Sequence, residues 1–211
     1  MNLKIIFTLF LFYTAGHFVQ GQTVGELFVK LPKPELLTLN QSSRLDLIDL
    51  YKSGEKAAVK NFFDDSCSIH RLTDDYLQIQ IGNNSMEFFL LSMINDSKIL
   101  GLIHTVCAPV CDSEIEFYTT TGRKIDASTF ITLFGLYDFL GEGINRDDEN
   151  LKNALIPLDV SLMKLQYEPD KQELLQYYTT PDYLSEADRN KIMPYLRKSP
   201  KLFKWNLTRF E

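Results

Sequence analysis

The chain has 211 residues, 45% of them hydrophobic and 24% charged, with a formal net charge of −6. An acidic chain without an evident clustered basic face is a poor match to nucleic acid, whose phosphates must be neutralised by Lys and Arg. Three cysteines and three histidines leave little material for metal or redox chemistry.

The first residues, MNLKIIFTLFLFYTAGHFVQGQ, place Lys4 ahead of an apolar run from Ile5 to Ala15. That run is too short to span a membrane, which takes about 20 residues, but it suits a secretory signal. Cleavage is expected between Gly21 and Gln22, giving a signal peptide over 1–21 and a domain over 22–211. The loss of Lys4 would take the formal charge from −6 to −7. No second stretch approaches membrane-spanning length, so no transmembrane segment is expected after cleavage. No low-complexity tract interrupts the remainder.

Glu26 to Leu39 reads as short helical pieces broken by Pro32 and Pro34. "NQSSRLDLIDLYKSGEK" is a fuller helix, with Ser43 as N-cap, Asp46 three residues on, and Gly54 at the C-terminal cap position. Its buried side is expected from Leu47, Leu50 and Tyr51, backed by Leu45 and Ile48.

From Ala57 the period changes to two. A weak strand over 57–63 and another over 67–72 precede "YLQIQIGNNSMEFFLLSMINDSKILGLIHTV", three strand-like runs joined by hairpin signals. In the first run Leu77, Ile79 and Ile81 oppose Tyr76, Gln78 and Gln80. "SEIEFYTTTGRKI" continues the meander, with Ile115 and Phe117 opposite Glu114 and Glu116. The expectation is an α+β fold, an antiparallel sheet of four to six strands with helices packed on one face.

A second round follows. Ala127 to Leu140 is a helix candidate whose apolar residues form no single stripe, and Asn145 to Leu155 is a shorter one. "VSLMKLQY" and "KQELLQYYTT" form a hairpin about Glu168-Pro169-Asp170. "LSEADRNKIMPYLRK" is a helix capped by Ser185 and split by Pro194. "KLFKWNLTRFE" reads as a closing strand, Phe203, Trp205 and Leu207 alternating with Lys204, Asn206 and Thr208. Two rounds of helices then sheet leave open both one edge-sharing domain and two sub-lobes, 22–125 and 126–211.

Candidate chemistry is sparse. Cys107 and Cys111 bracket Ala108, Pro109 and Val110. In an oxidising compartment a turn about Pro109 would bring them within disulfide range, roughly 4.4–6.8 Å between Cα atoms. A zinc site from His104, Cys107 and Cys111, with Cys67 and His70, offers the right atoms but the wrong spacing. A redox pair would need Cys-x-x-Cys at a helix N-terminus. No metal and no cofactor is expected, and Cys67 is left as a buried apolar residue or an intermolecular bridge. Glu114 and Glu116 are the weak carboxylate pair on which a small carbohydrate-active hydrolase could be built. The Asp pairs at 64–65 and 74–75 suit turns and caps. His104, inside an apolar strand, reads as a satisfied residue before it reads as a general base. Tyr177, Tyr178 and Tyr183 are either core or a sugar- or protein-binding surface. Four Asn-x-Ser/Thr sequons, at Asn40, Asn83, Asn95 and Asn206, would matter only in a eukaryotic secretory route.

Taken in order, "SSRLDLIDLYKSG", "LTDDYLQIQIG", "VCAPVCDSEIEFY" and "PDYLSEADRNKIMPYLRKSPKLFKWNLTRF" resemble an uncharacterised family of exported Bacteroidales proteins, domain-of-unknown-function family 3256. The resemblance implies export, a compact α+β domain, a bacterial periplasm or cell envelope as the destination and idle sequons. It carries no catalytic residue. The layout is also similar to tandem β-lactamase-inhibitor-like modules, an analogy of fold alone. The functional expectation is a non-catalytic exported module that binds a protein or glycan of the envelope through a sheet face or edge. Lys204, Asn206 and Thr208 are its outward contacts.

Overall fold

In the computed structural model, residues 22–31 and 38–211 are described. The expected signal peptide and the Pro32–Pro34 break lie outside them. The described residues form an α+β fold with two antiparallel sheets.

Helices α1 (Val24–Lys30) and α2 (Gln41–Lys52) come first. Asn40, not Ser43, is the N-cap of α2, its side chain accepting the Ser43 N–H at 2.8 Å. A residue already inside the first turn cannot close that turn's open end, so the cap falls one position before Gln41. Gly54 does lie just beyond the C-terminus, at φ +77°. The buried side of α2 is Arg44, Leu47 and Ile48, while Leu45 is 49% exposed. Arg44 is buried because its Nη1 donates to the carbonyls of Phe28 (2.7 Å) and Leu31 (2.9 Å), closing the C-terminus of α1.

The large sheet is a seven-stranded meander in chain order. Its strands are β1 (Ala58–Lys60), β2 (Ser66–Leu72), β3 (Tyr76–Ile81), β4 (Asn84–Ser92), β5 (Lys98–Cys107), β6 (Cys111–Thr119) and β7 (Lys124–Ile125). The count exceeds the four to six expected because the two-residue β7 also pairs, Phe117 opposite Ile125. One face carries Leu77, Ile79, Met86, Phe88, Leu100 and Leu102 and packs on Leu27, Phe28, Leu47 and Ile48 of the helices. Helices therefore cover one face, as the alternation in β3 requires.

The other face is covered too. A three-stranded sheet, β8 (Met163–Glu168), β9 (Glu173–Tyr178) and β10 (Lys201–Lys204), in the order β10-β9-β8, packs on it. Leu165, Tyr167, Leu174 and Phe203 meet Phe89, Leu91, Ile103 and Phe117, and the Phe89 and Tyr167 rings stack at 4.0 Å. Burial on both faces explains why Met86 to Leu91 of β4 are all buried, five of the six being apolar and Glu87 held by hydrogen bonds from Tyr76 and Tyr167.

Three departures from the sequence reading concern the second half. Residues 127–140 form no α-helix: one 3-10 turn, Ala127–Thr129, precedes an irregular stretch and another, Leu136–Phe139. Thr129, Ile131 and Thr132 are β-branched and disfavour helix. Phe130 and Ile131 are drawn into the inter-sheet core, and the fully buried Gln176 takes both backbone groups of Phe134 at 2.9 and 2.8 Å. The expected 145–155 helix is only α3 (Glu149–Leu155), capped by Asp148. The closing strand stops at Lys204. Leu207 lies at φ +70°, 43% exposed, on a turn that returns Phe210 to the core at 1% exposure. The last helix, α4 (Glu186–Ile192), begins at Ser185 as expected, and Pro194 lies in the 3-10 turn Met193–Tyr195 that follows it.

Candidate functional site

Cys107 and Cys111 face one another across the β5–β6 hairpin and are joined by a disulfide, with Cα atoms 3.9 Å apart. Both sulfurs are thereby consumed, which removes two of the five groups weighed for zinc. Cys67 is a free thiol at 0% exposure in the helix-side core, and burial pushes its pKa up. His70 is exposed where the β2–β3 register shifts, and His104 pairs with Glu114 across β5 and β6. No group of three or more His, Cys, Asp or Glu among the described residues could hold a metal.

Beside the disulfide, the large sheet grips the small one. The N–H groups on the outer edge of β8 point away from β9, and side chains of the large sheet accept them. Asp112 takes Met163 N–H at 2.9 Å, Ser113 takes Leu165 N–H at 3.0 Å and Glu87 takes Tyr167 N–H at 3.2 Å. Thr179 adds a bond to the Cys111 carbonyl at 2.8 Å. An edge that could otherwise recruit another strand is thus closed internally. The cystine stiffens the start of β6, which supplies three of these four acceptors.

Glu114 and Glu116 share the helix-side sheet face but not an environment. Glu114 is exposed; Glu116 is 8% exposed, 2.5 Å from Lys124 Nζ and 3.0 Å from the Tyr118 hydroxyl that donates to it. An acid held by a lysine and a phenol is suited to binding the β6–β7 hairpin together. Lys204 pairs with Glu173 at 3.2 Å. Asn206 Oδ1 accepts from the Thr208 N–H, the Thr208 hydroxyl and the Arg209 N–H at 3.0, 2.5 and 2.8 Å. Asn206 and Thr208 therefore build the turn that sends Phe210 inward, and Lys204 stands on the outer face of the small sheet.

That outer face leads to a cleft with an aromatic and cationic lining. The strand register aligns three rows across it: Tyr177 and Lys164; Leu202, Leu175 and Gln166; Lys204, Glu173 and Glu168, with Pro200 just ahead of β10. Leu202 is 44% exposed, and Leu175 and Tyr177 are half-buried. At the Pro200–Tyr177 end the face opens into a cleft of about 270 Å³ between β9, α4 and the segment after α4. Phe139 and Tyr178 stack at 5.6 Å as its floor, Tyr177 and Met193 form apolar walls, and Arg197 and Lys198 stand at the rim. The wall is pinned: Arg197 N–H donates to the Phe139 carbonyl at 2.9 Å and Gly141 N–H to that of Tyr195 at 2.8 Å. Arg189 is engaged with Asp182 at 2.8 Å. Tyr178 has a buried hydroxyl near Thr180, without a hydrogen bond of ordinary geometry, and burial pushes its pKa up. Tyr183 is 58% exposed nearby.

The sequence contained a signal for this cleft. Residues 186–204 hold six of the chain's 22 Lys and Arg but two of its 28 Asp and Glu, a local basic excess hidden by the acidic total. Aromatic floor and guanidinium rim together fit a ligand with an apolar or aromatic part and a carboxylate or phosphate beside it.

The family described as Protein of unknown function (DUF3256) has a model that matches residues 17–210. A search of curated proteins finds no match. Among solved structures, a domain of an uncharacterized protein from Porphyromonas gingivalis W83 is similar over 89% of this chain and 96% of its own, with a TM-score of 0.78 and 21% identity. At that identity the likeness concerns the fold. No helix among the described residues is long and apolar enough to cross a membrane. With nearly its whole length matched, the chain belongs to the family described as Protein of unknown function (DUF3256).

Proposed function

We infer that the chain is an exported, non-catalytic binding module of the bacterial periplasm or cell envelope. Residues 22–211 act as one domain once 1–21 are removed. The apolar run from Ile5 to Ala15 and the Cys107–Cys111 disulfide support export to an oxidising compartment. Sharing of the inter-sheet core between residues 76–117 and 165–210 supports one domain.

The observation that carries the binding reading is the continuity of the outer sheet face with the cleft. Leu202, Leu175 and Tyr177 lead from the open face to an aromatic, cation-rimmed hollow. Apolar and aromatic residues ringed by charge are what recognition surfaces use. The surface that engages the partner is thus the sheet face.

The test is gentle crosslinking and capture of the mature chain from its native envelope, beside a Tyr177→Ala, Leu202→Glu double variant. A partner retained by the parent and lost with the folded variant supports the reading. Equal recovery with both overturns it. Export is checked separately: the intact mass of the chain from the periplasmic fraction should correspond to residues 22–211.

A further inference from the structure

A second surface, far from the cleft, complements it. The β1–β2 connection, Asn61-Phe62-Phe63-Asp64-Asp65, presents two phenylalanines at 69% and 74% exposure. The turn is held in shape rather than loose. Asn61 Oδ1 accepts the N–H groups of Phe63 and Asp65, each at 2.9 Å, and Phe62 N–H reaches the Thr38 carbonyl at 2.9 Å. Lys60 pairs with Asp64 at 3.0 Å, and both aspartates remain exposed. Two adjacent exposed aromatic rings on a pinned turn form a ready anchor, since aromatic side chains dominate interface energetics. Among the described residues, neither ring belongs to a core cluster.

The complementarity runs in both chemistry and charge. The turn offers apolar rings beside two carboxylates; the cleft offers an aromatic floor beside Arg197 and Lys198. Within one chain the two belong to different parts of the fold. The turn precedes β2, whereas the small sheet is gripped at the start of β6, four strand spacings or about 19 Å across the sheet.

We propose that a second copy of this chain is the occupant of the cleft, its Phe62–Asp65 turn inserting among Tyr177, Phe139 and Met193 with Asp64 and Asp65 toward Arg197 and Lys198. The proposal rests on the cleft being the binding surface assigned above. The contact is head-to-tail, because turn and cleft are different patches. Each copy has one of each, so assembly continues beyond a dimer unless the rotation closes a ring. Opposite charges at the two patches set the orientation and make association weaken with salt.

Sedimentation velocity of the mature, disulfide-bonded chain over a concentration series tests it. The parent should assemble in a concentration- and salt-dependent way. A Phe62→Ser, Phe63→Ser variant retains a cleft but no anchor, and an Arg197→Glu, Lys198→Glu variant retains an anchor but no cleft. Each alone should associate at least about tenfold more weakly. Mixed one to one, they can form only a single productive contact, so a heterodimer and nothing larger should appear. All four positions are exposed, and circular dichroism should show both variants folded.

A parent that stays monomeric at the highest reachable concentration overturns the proposal. So does a mixture with no heterodimer, or variants that assemble like the parent. If self-association is absent while a captured partner still depends on Tyr177 and Leu202, this inference falls and the binding-module reading stands.

Discussion

Tyr76 donates its hydroxyl hydrogen to the Glu87 carboxylate at 2.7 Å, on the very oxygen that accepts Tyr167 N–H from the small sheet. Glu87 is 6% exposed, and one buried acid thereby ties β3, β4 and β8 together. Burial raises the Glu87 pKa; the bonds from Tyr76 and Tyr167 and the charge of Lys164 oppose that rise, and Glu168 adds to it. Burial and Glu87 also push the Tyr76 hydroxyl far up, which keeps it a donor at any ordinary pH.

The sign of the pH dependence follows. The folded-state pKa lies above the ordinary value of 4.5, so the native chain holds the proton that the unfolded chain releases. The stability this proton confers is complete below pH 4.5 and is lost as pH rises through the folded-state value. Urea unfolding of the parent should therefore show a contribution that declines upward from that pH. Glu87→Gln keeps an oxygen for Tyr76 and Tyr167 but cannot ionise, so it should flatten this slope. A variant with the parent's slope would show that the pH dependence arises elsewhere.

The disulfide closes a very short loop. Chain entropy alone gives it about 2 kcal/mol, less than the ~3 kcal/mol of a 15-residue loop. Reduction should thus lower the urea midpoint modestly without unfolding the chain, and intact mass should rise by about two daltons. In the oxidised native chain Cys67 is buried and the other thiols are bonded, so alkylation should fail until denaturant is added and then label one site. Rapid labelling of two or three sites in the native chain would contradict this pairing.

Gly101 lies opposite Phe89 across β4 and β5, and a Cβ added there would overlap the Phe89 ring. The ring cannot retreat freely, because its other face stacks on Tyr167 at 4.0 Å. Gly101→Ala should therefore destabilise by about 1–3 kcal/mol, the usual cost of overpacking. It should also loosen the small sheet before the large one. Hydrogen exchange would register this as lost protection in β8 and β9 ahead of β3 to β5. A neutral effect on unfolding would mean that the inter-sheet packing gives way easily.

Much of the large sheet was legible because its strands keep period two and its turns carry Gly, Asn and Asp. The β8–β9 hairpin and the Ser185 cap were legible for similarly local reasons. What stacks on what was not. The alternation in β3 suggests one covered face, and only the continuous FFLL run at 88–91 hints at a second layer behind it. Residues 127–140 looked helical by composition, yet Gln176, some 40 residues away, takes the backbone groups of Phe134 that a helix would have used. Of the cleft only the basic excess over 186–204 is local; its floor from Phe139 and Tyr178 and its rim from Arg197 and Lys198 are brought together only by the fold.

The C-terminus provides the last prediction. Trp205, the only tryptophan, is 8% exposed, packs on Phe210 at 5.1 Å and donates its indole N–H to the Ser92 carbonyl at 2.8 Å. Phe210 also meets the edges of Phe89 and Tyr167 at 6.5 and 6.4 Å, closing the end of the inter-sheet core. Asn206 sets the turn that allows this return. Phe210→Ala should cost about 3–5 kcal/mol, lower the urea midpoint and shift tryptophan emission to longer wavelength as water reaches the indole. Asn206→Ala removes only the turn's acceptor and should cost about 1–2 kcal/mol with a smaller shift. The two substitutions act on one contact, so the double variant should lose less than the sum. Strict additivity would mean that the turn and the aromatic plug are independent.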